Sequence, residues 1–219
     1  LTCPFVRAAG GRDAGVVAHA ARPGAAPRDG RSWAFQSAGQ RCSALRVLCV
    51  QEDVAEQMIA MIAGAMEALS VGDPRLLSTD LGPVIDDAAK EVLDEHVAWL
   101  ETNARRICRL ELSKDTEAGS FVAPAFYEIK SLSQLNRENF GPILHVIRLP
   151  GKAIDQVVEA INATGYGLTL GLQSRIDSVR DYVEQNARVG NFYVNRNQIG
   201  AIVESQPFGG EGLSGTGPK

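Results

Sequence analysis

Cys42 is the residue of this chain whose surroundings best suit covalent chemistry. It lies in Phe35-Gln36-Ser37-Ala38-Gly39-Gln40-Arg41-Cys42-Ser43-Ala44, after a Gly-Gln-Arg turn and before the apolar run Leu45 to Val50. A thiol attacks only as thiolate, which nearby cations and backbone N–H donors favour. Arg41 supplies a cation, and the small neighbours Ser43 and Ala44 leave the sulfur reachable. A buried, inert thiol is nevertheless the commoner state of a free cysteine, so the local sequence leaves both readings open. The other cysteines, Cys3, Cys49 and Cys108, form no Cys-x-x-Cys pair, and His19, His96 and His145 are scattered. This pattern offers no metal site and no disulfide framework, and it fits a reducing cytoplasm. His145, inside an apolar strand pattern, reads as a satisfied core histidine.

The elements that would position these residues come from a chain of 219 residues, 45% hydrophobic and with a net charge of -4. That is enough for one large domain, or one and a half, with an ample core. The acidic balance argues against a general nucleic-acid or membrane-surface binder. No apolar run approaches the roughly 18–20 residues of a spanning helix, and no secretory signal is visible. The chain begins on Leu1 and ends on Gly-Thr-Gly-Pro-Lys219, and the expectation is a fragment of a longer protein.

Residues 1–33 contain no lysine, no glutamate and no sustained apolar period. Arginine, alanine, glycine and proline dominate, so the stretch reads as unstructured or as translated out of frame. From Ser32 a short helix is expected to lead into the Cys42 turn. Leu45 to Val50 predicts a buried strand, and Val54 to Leu69 a helix with Glu52 and Asp53 at its favourable end. A second helix is predicted over 86–103, burying Val92, Val97 and Leu100. Strands are predicted over 107–112, 143–149, 168–172 and 191–195, with shorter extended pieces within 121–129. Helices are predicted over 153–163 and 176–187. This alternation predicts an α/β domain over 34–219 with a largely parallel sheet flanked by helices. There is no Gly-x-Gly-x-x-Gly fingerprint after a strand, so a complete dinucleotide domain is not visible.

Three further blocks follow Cys42 in order: Glu138-Asn139-Phe140-Gly141-Pro142, then Asn162 with Gly165-Tyr166-Gly167-Leu168-Thr169, then Pro207-Phe208-Gly209-Gly210. Together they resemble the C-terminal, catalytic part of the aldehyde dehydrogenase superfamily. The variants Ser-Ala-Gly-Gln-Arg-Cys-Ser-Ala-Leu-Arg and Gly-Glu-Gly-Leu-Ser-Gly-Thr-Gly-Pro-Lys are similar to the L-glutamate γ-semialdehyde (Δ1-pyrroline-5-carboxylate) dehydrogenase domain of bifunctional proline-utilising proteins. The resemblance implies NAD as cofactor and glutamate semialdehyde as substrate, in proline catabolism. It assigns Cys42 as nucleophile, with its backbone N–H in the oxyanion site. Glu138 would bind a cofactor ribose hydroxyl and Phe140 would flank the nicotinamide end. Gly200 and Ala201 would hold the substrate carboxylate through backbone N–H groups, helped by Ser43, and Phe208 would pack on the substrate's aliphatic part. Outside the resemblance, Glu138 reads as a solvated charge, Phe140 and Phe208 as core, and Gly200 as a turn.

The resemblance also implies a homo-oligomer for the full-length protein and allows a proline dehydrogenase domain in the same chain. Departures from the family pattern limit the expectation. The glutamate that activates the hydrolytic water belongs upstream of the cysteine, and residues 1–33 hold none. The upstream asparagine of the oxyanion site and most of the cofactor domain are missing too. The isolated chain is therefore expected to be inactive. Two other readings remain: another aldehyde dehydrogenase or thioester-forming relative, and a non-catalytic α/β assembly module.

Overall fold

Runs that are apolar at nearly every position predict strands covered on both faces, and such strands form the middle of this fold. The computed structural model describes residues 14–17, 34–151, 153–199, 201 and 204–215. A seven-stranded sheet is built from β1 (Ala14–Val17), β2 (Val47–Gln51), β3 (Arg105–Arg109), β4 (Ala125–Glu128), β5 (Ile143–Leu149), β7 (Thr169–Gln173) and β8 (Asn191–Val194). Their order is β3-β4-β5-β2-β1-β7-β8, and every neighbouring pair is parallel except β3 with β4. Two short strands, β6 (Tyr166–Gly167) and β9 (Glu211–Gly212), pair separately.

Helix α1 (Glu52–Glu67) covers one face and α2 (Asp87–Asn103), α3 (Ile154–Ala163) and α4 (Asp177–Asn186) the other. Alternate residues of a strand point to opposite faces, and the two cores separate accordingly. Leu48, Val50, Phe126, Leu144 and Val146 pack with Met58, Ile59, Ile62 and Met66 of α1. Val47, Cys49, Tyr127, Ile143 and Ile147 pack with Leu93, Val97 and Leu100 of α2 and with Val157, Ile161 and Val183. Acidic Glu52 and Asp53 open α1. Asp86 caps α2 by accepting from the Ala89 N–H at 2.7 Å. Cys49 is buried, and desolvation pushes its thiol up to about 12, so it is an inert core group.

The predicted strand at 143–149 coincides with β5, and the helix at 86–103 with α2. Three expectations are corrected. The reading of residues 1–33 as structureless fails at Ala14–Val17, which forms the strand between β2 and β7. With only two large apolar residues it has no readable period, and its order comes from parallel pairing on both sides. The rest of 1–33 lies outside the described residues. In α2, Val92 is 37% exposed and Leu93 takes the buried position. The helix expected to run into the Cys42 turn stops short, because Ser37, Ala38 and Gly39 are all left-handed, with φ of 57°, 52° and 66°.

Candidate active site

The three consecutive left-handed residues make a tight reversal that no regular helix could provide. Gly39 is required at its end. A Cβ there would lie 2.1 Å from the carbonyl oxygen of Gly141, so the Cys42 turn and the Glu138–Pro142 loop pack backbone against backbone. Two of the blocks found in the sequence are thus in direct contact, each supplying a glycine to the junction. The Arg41 Nε donates to the Ser37 Oγ at 3.0 Å, bracing the turn. The Gln40 side chain accepts the Ile85 N–H at 2.9 Å, tying it to the segment before α2. Cys42, at the end of this turn, is exposed, and Ser43 is buried.

The loop carrying Glu138 and Phe140 is pinned by its neighbours. Arg137 donates to the Asn139 side chain at 3.2 Å and to the Val92 carbonyl at 3.0 Å. The Glu138 side chain is 9% exposed, with Oε1 3.9 Å from the Nε of Arg46. Phe140 is half-buried, and the Arg46 Cζ stands 4.8 Å from its ring centroid. Arg46 also donates from Nη2 to the Arg41 carbonyl at 3.0 Å. One buried guanidinium therefore touches the turn of Cys42, the carboxylate of Glu138 and the face of Phe140. Sequence reading missed Arg46. The signal was a charge inside the otherwise apolar run Leu45–Val50.

His145 fixes this arginine from behind. Its Nδ1 lies 2.8 Å from the Arg46 carbonyl and its Nε2 lies 2.9 Å from the Nε2 of His96. A carbonyl can only accept, so His145 Nδ1 must carry hydrogen. Neutral His145 then accepts at Nε2, and His96 must donate from its own Nε2. Burial holds both imidazoles neutral, with His96 lowered to about 4 and His145 to about 3; for each the nearby cation or partner ring adds to the burial effect. His145 is thus the satisfied core histidine that its sequence context suggests.

The third group of expected residues lies beyond β8. Gln198, fully buried, donates from Nε2 to the Ser43 carbonyl at 3.3 Å, bringing the segment before Ala201 onto the Cys42 turn. Ala201 is half-buried, and Gly200 lies outside the described residues. Asn195, left-handed at the end of β8, clamps Ser174 by accepting its N–H at 3.0 Å and donating to its carbonyl at 2.7 Å. Asn191 does the same for the last block: it donates to the Pro207 carbonyl at 3.0 Å and accepts the Gly209 N–H at 3.1 Å. Phe208, between those contacts, is 40% exposed and so is not a core residue of this chain. Gln198 and Asn191 were not singled out from sequence; both work through long-range contacts that no local spacing announces. Among the described residues no group of three or more His, Cys, Asp or Glu side chains could hold a metal ion, and no helix is long and apolar enough to cross a membrane.

The family model described as "Aldehyde dehydrogenase family" matches residues 3–219. The bifunctional protein PutA of Klebsiella aerogenes is 47% identical over 99% of this chain and 17% of its own length. The 1-pyrroline-5-carboxylate dehydrogenase of Geobacillus sp. (strain WCH70) is 34% identical over 96% of the chain and 40% of its length. A solved structure of a Bradyrhizobium japonicum Proline Utilization A variant superposes with a TM-score of 0.92 at 50% identity, covering 96% of this chain and 21% of that one. The Thermus thermophilus 1-pyrroline-5-carboxylate dehydrogenase superposes at 0.86 with 32% identity, over 94% of this chain and 40% of that one. The chain thus spans less than half the length of each of these relatives.

Proposed function

Because the chain belongs to the aldehyde dehydrogenase family, we propose that it carries the nucleophile half of an NAD-dependent L-glutamate γ-semialdehyde dehydrogenase of proline catabolism. The observation that carries the reading is the Gly39–Gly141 junction, which packs the exposed Cys42 turn against the loop bearing Glu138 and Phe140. The relatives' names, PutA and 1-pyrroline-5-carboxylate dehydrogenase, favour this substrate over other aldehydes. The bifunctional relatives support a second catalytic domain in the same full-length chain, read here as a proline dehydrogenase; the homo-oligomer is carried over from the family resemblance and the cytoplasmic setting from the cysteine pattern.

Cys42 attacks the aldehyde carbon as thiolate, forming a carbon–sulfur bond and a thiohemiacetal whose oxygen takes the negative charge. The Cys42 backbone N–H is a fixed donor for that oxygen. Loss of hydride from the carbon leaves a thioester on Cys42, and water hydrolyses it to glutamate and free thiol. NAD supplies the hydride acceptor when bound. The residues present fit it: the Glu138 side-chain oxygens beside Arg46 suit a ribose diol, and Phe140 offers an aromatic face. Gly200, Ala201 and the Ser43 hydroxyl receive the substrate carboxylate, and Phe208 its methylene chain.

Neither a hydrolytic glutamate nor the upstream oxyanion asparagine falls within residues 1–33, so this polypeptide alone should form no appreciable NADH from pyrroline-5-carboxylate. A robust rate that disappears in Cys42→Ala would overturn that expectation. Iodoacetamide at neutral pH should label Cys42 before Cys49 or Cys108. Equal labelling would overturn the nucleophile assignment and favour a non-catalytic assembly module.

A further inference from the structure

We propose that Arg46 is a positioning residue that couples the Cys42 turn to the Glu138–Phe140 loop and polarises the Cys42 peptide. The inference rests on the reading of Cys42 as nucleophile and of Glu138 and Phe140 as cofactor ligands.

Arg46 is 3% exposed, and a guanidinium is taken out of water at a cost that only good partners offset. The Arg41 carbonyl that accepts from its Nη2 at 3.0 Å belongs to the same peptide unit as the Cys42 N–H. A cationic donor on that oxygen draws electrons away from the nitrogen and makes the N–H a stronger donor toward a developing oxyanion. The Ala44 N–H, at 3.1 Å from the same oxygen, adds in the same sense. The other edge and face of the guanidinium meet the Glu138 carboxylate at 3.9 Å and the Phe140 ring at 4.8 Å.

The backbone of Arg46 is itself held. Its carbonyl accepts both the backbone N–H of His145 at 3.0 Å and the His145 Nδ1–H at 2.8 Å. Only a planar fork can address an oxygen, a carboxylate and a ring face at once, so lysine should replace arginine incompletely.

The test is the pH–rate profile of iodoacetamide labelling on the intact chain, read at Cys42 with Cys108 as internal reference, alongside circular dichroism. In Arg46→Met, Cys42 labelling at neutral pH should fall about three- to tenfold with its midpoint moved to higher pH, while Cys108 is unchanged. Arg46→Lys should recover only part of the rate. Glu138→Gln should speed Cys42 labelling when Arg46 is present and have no effect in the Arg46→Met background. A folded Arg46→Met chain with an unchanged Cys42 profile would overturn the coupling, as would equal slowing at both cysteines or the same Glu138→Gln effect in both backgrounds. If Arg46→Met does not fold, Arg46→Lys and Glu138→Gln decide: profiles unchanged in both overturn the proposal, and shifted profiles support it. A fast Cys42 indifferent to Arg46 sinks the coupling alone. A Cys42 no faster than Cys108 in the unaltered chain sinks the nucleophile reading itself.

Discussion

Acidification below pH 6.5 should cost this fold stability through the His96–His145 pair before most of its carboxylates titrate. The two rings share one hydrogen bond whose direction is fixed by the Arg46 carbonyl. A proton added to His145 would set two N–H groups face to face at 2.9 Å in the core. Burial first, helped by the Arg137 cation at His96 and by the partner ring at His145, puts both folded-state pKa values below the unfolded value of 6.5, His96 at about 4 and His145 at about 3. The unfolded chain takes up protons that the folded chain refuses, so the stabilisation is complete above pH 6.5 and is lost as the pH falls toward the folded values. Well below 6.5, each histidine that stays neutral contributes a slope of about 1.4 kcal/mol per pH unit. At pH of about 4.5 the pair together would account for roughly 5 kcal/mol, comparable with the whole stability of a marginal domain. Urea unfolding between pH 7.5 and 4.5 measures the slope, and Trp99, stacked on His96 at 6.2 Å, reports the region by fluorescence. In His145→Leu the slope should halve, and stability at pH 7.5 should fall by about 1–3 kcal/mol because the His96 N–H loses its acceptor. Stability that is flat from pH 7 to 5, or a His96 or His145 imidazole nitrogen resonance titrating near 6.5, would refute the pairing.

The glycines provide a contrast. Gly39→Ala adds a methyl 2.1 Å from the Gly141 carbonyl oxygen at a left-handed position, so it should cost about 3 kcal/mol or more and lower Cys42 labelling as the junction opens. Gly64→Ala, in α1 with nothing within 4 Å of the new methyl, should gain about 0.5–1 kcal/mol, read as a higher urea midpoint. Asn191→Ala removes both clamps on the Phe208 loop and should speed proteolysis within 205–210 while changing the Cys42 labelling rate little.

Much of this was legible in the residues themselves. β5 was readable because seven consecutive positions carry large side chains and no breaker, and α2 because Asp86 caps a long amphipathic run. The relation of Cys42 to Glu138 and Phe140 came from the order of the blocks, and the fold adds the reason for it: a glycine at position 39 that lets two backbones touch. Ser37 and Ala38 could not be read as left-handed, since neither type prefers that conformation and the reversal is imposed by what surrounds it. Arg46 and Gln198 act across sheet and loop, where spacing along the chain carries no information.

β1 has a consequence for how the chain fails. Among the described residues of the sheet, β3-β4-β5-β2 on one side and β7-β8 on the other meet only through its four residues. If that strand slips out, the main sheet parts along a seam and leaves the inner borders of β2 and β7 without partners. Both are short and carry no charged residue, which makes their bared edges templates for pairing with another chain. A strand of four residues with only two large apolar side chains is thus the keystone against self-association.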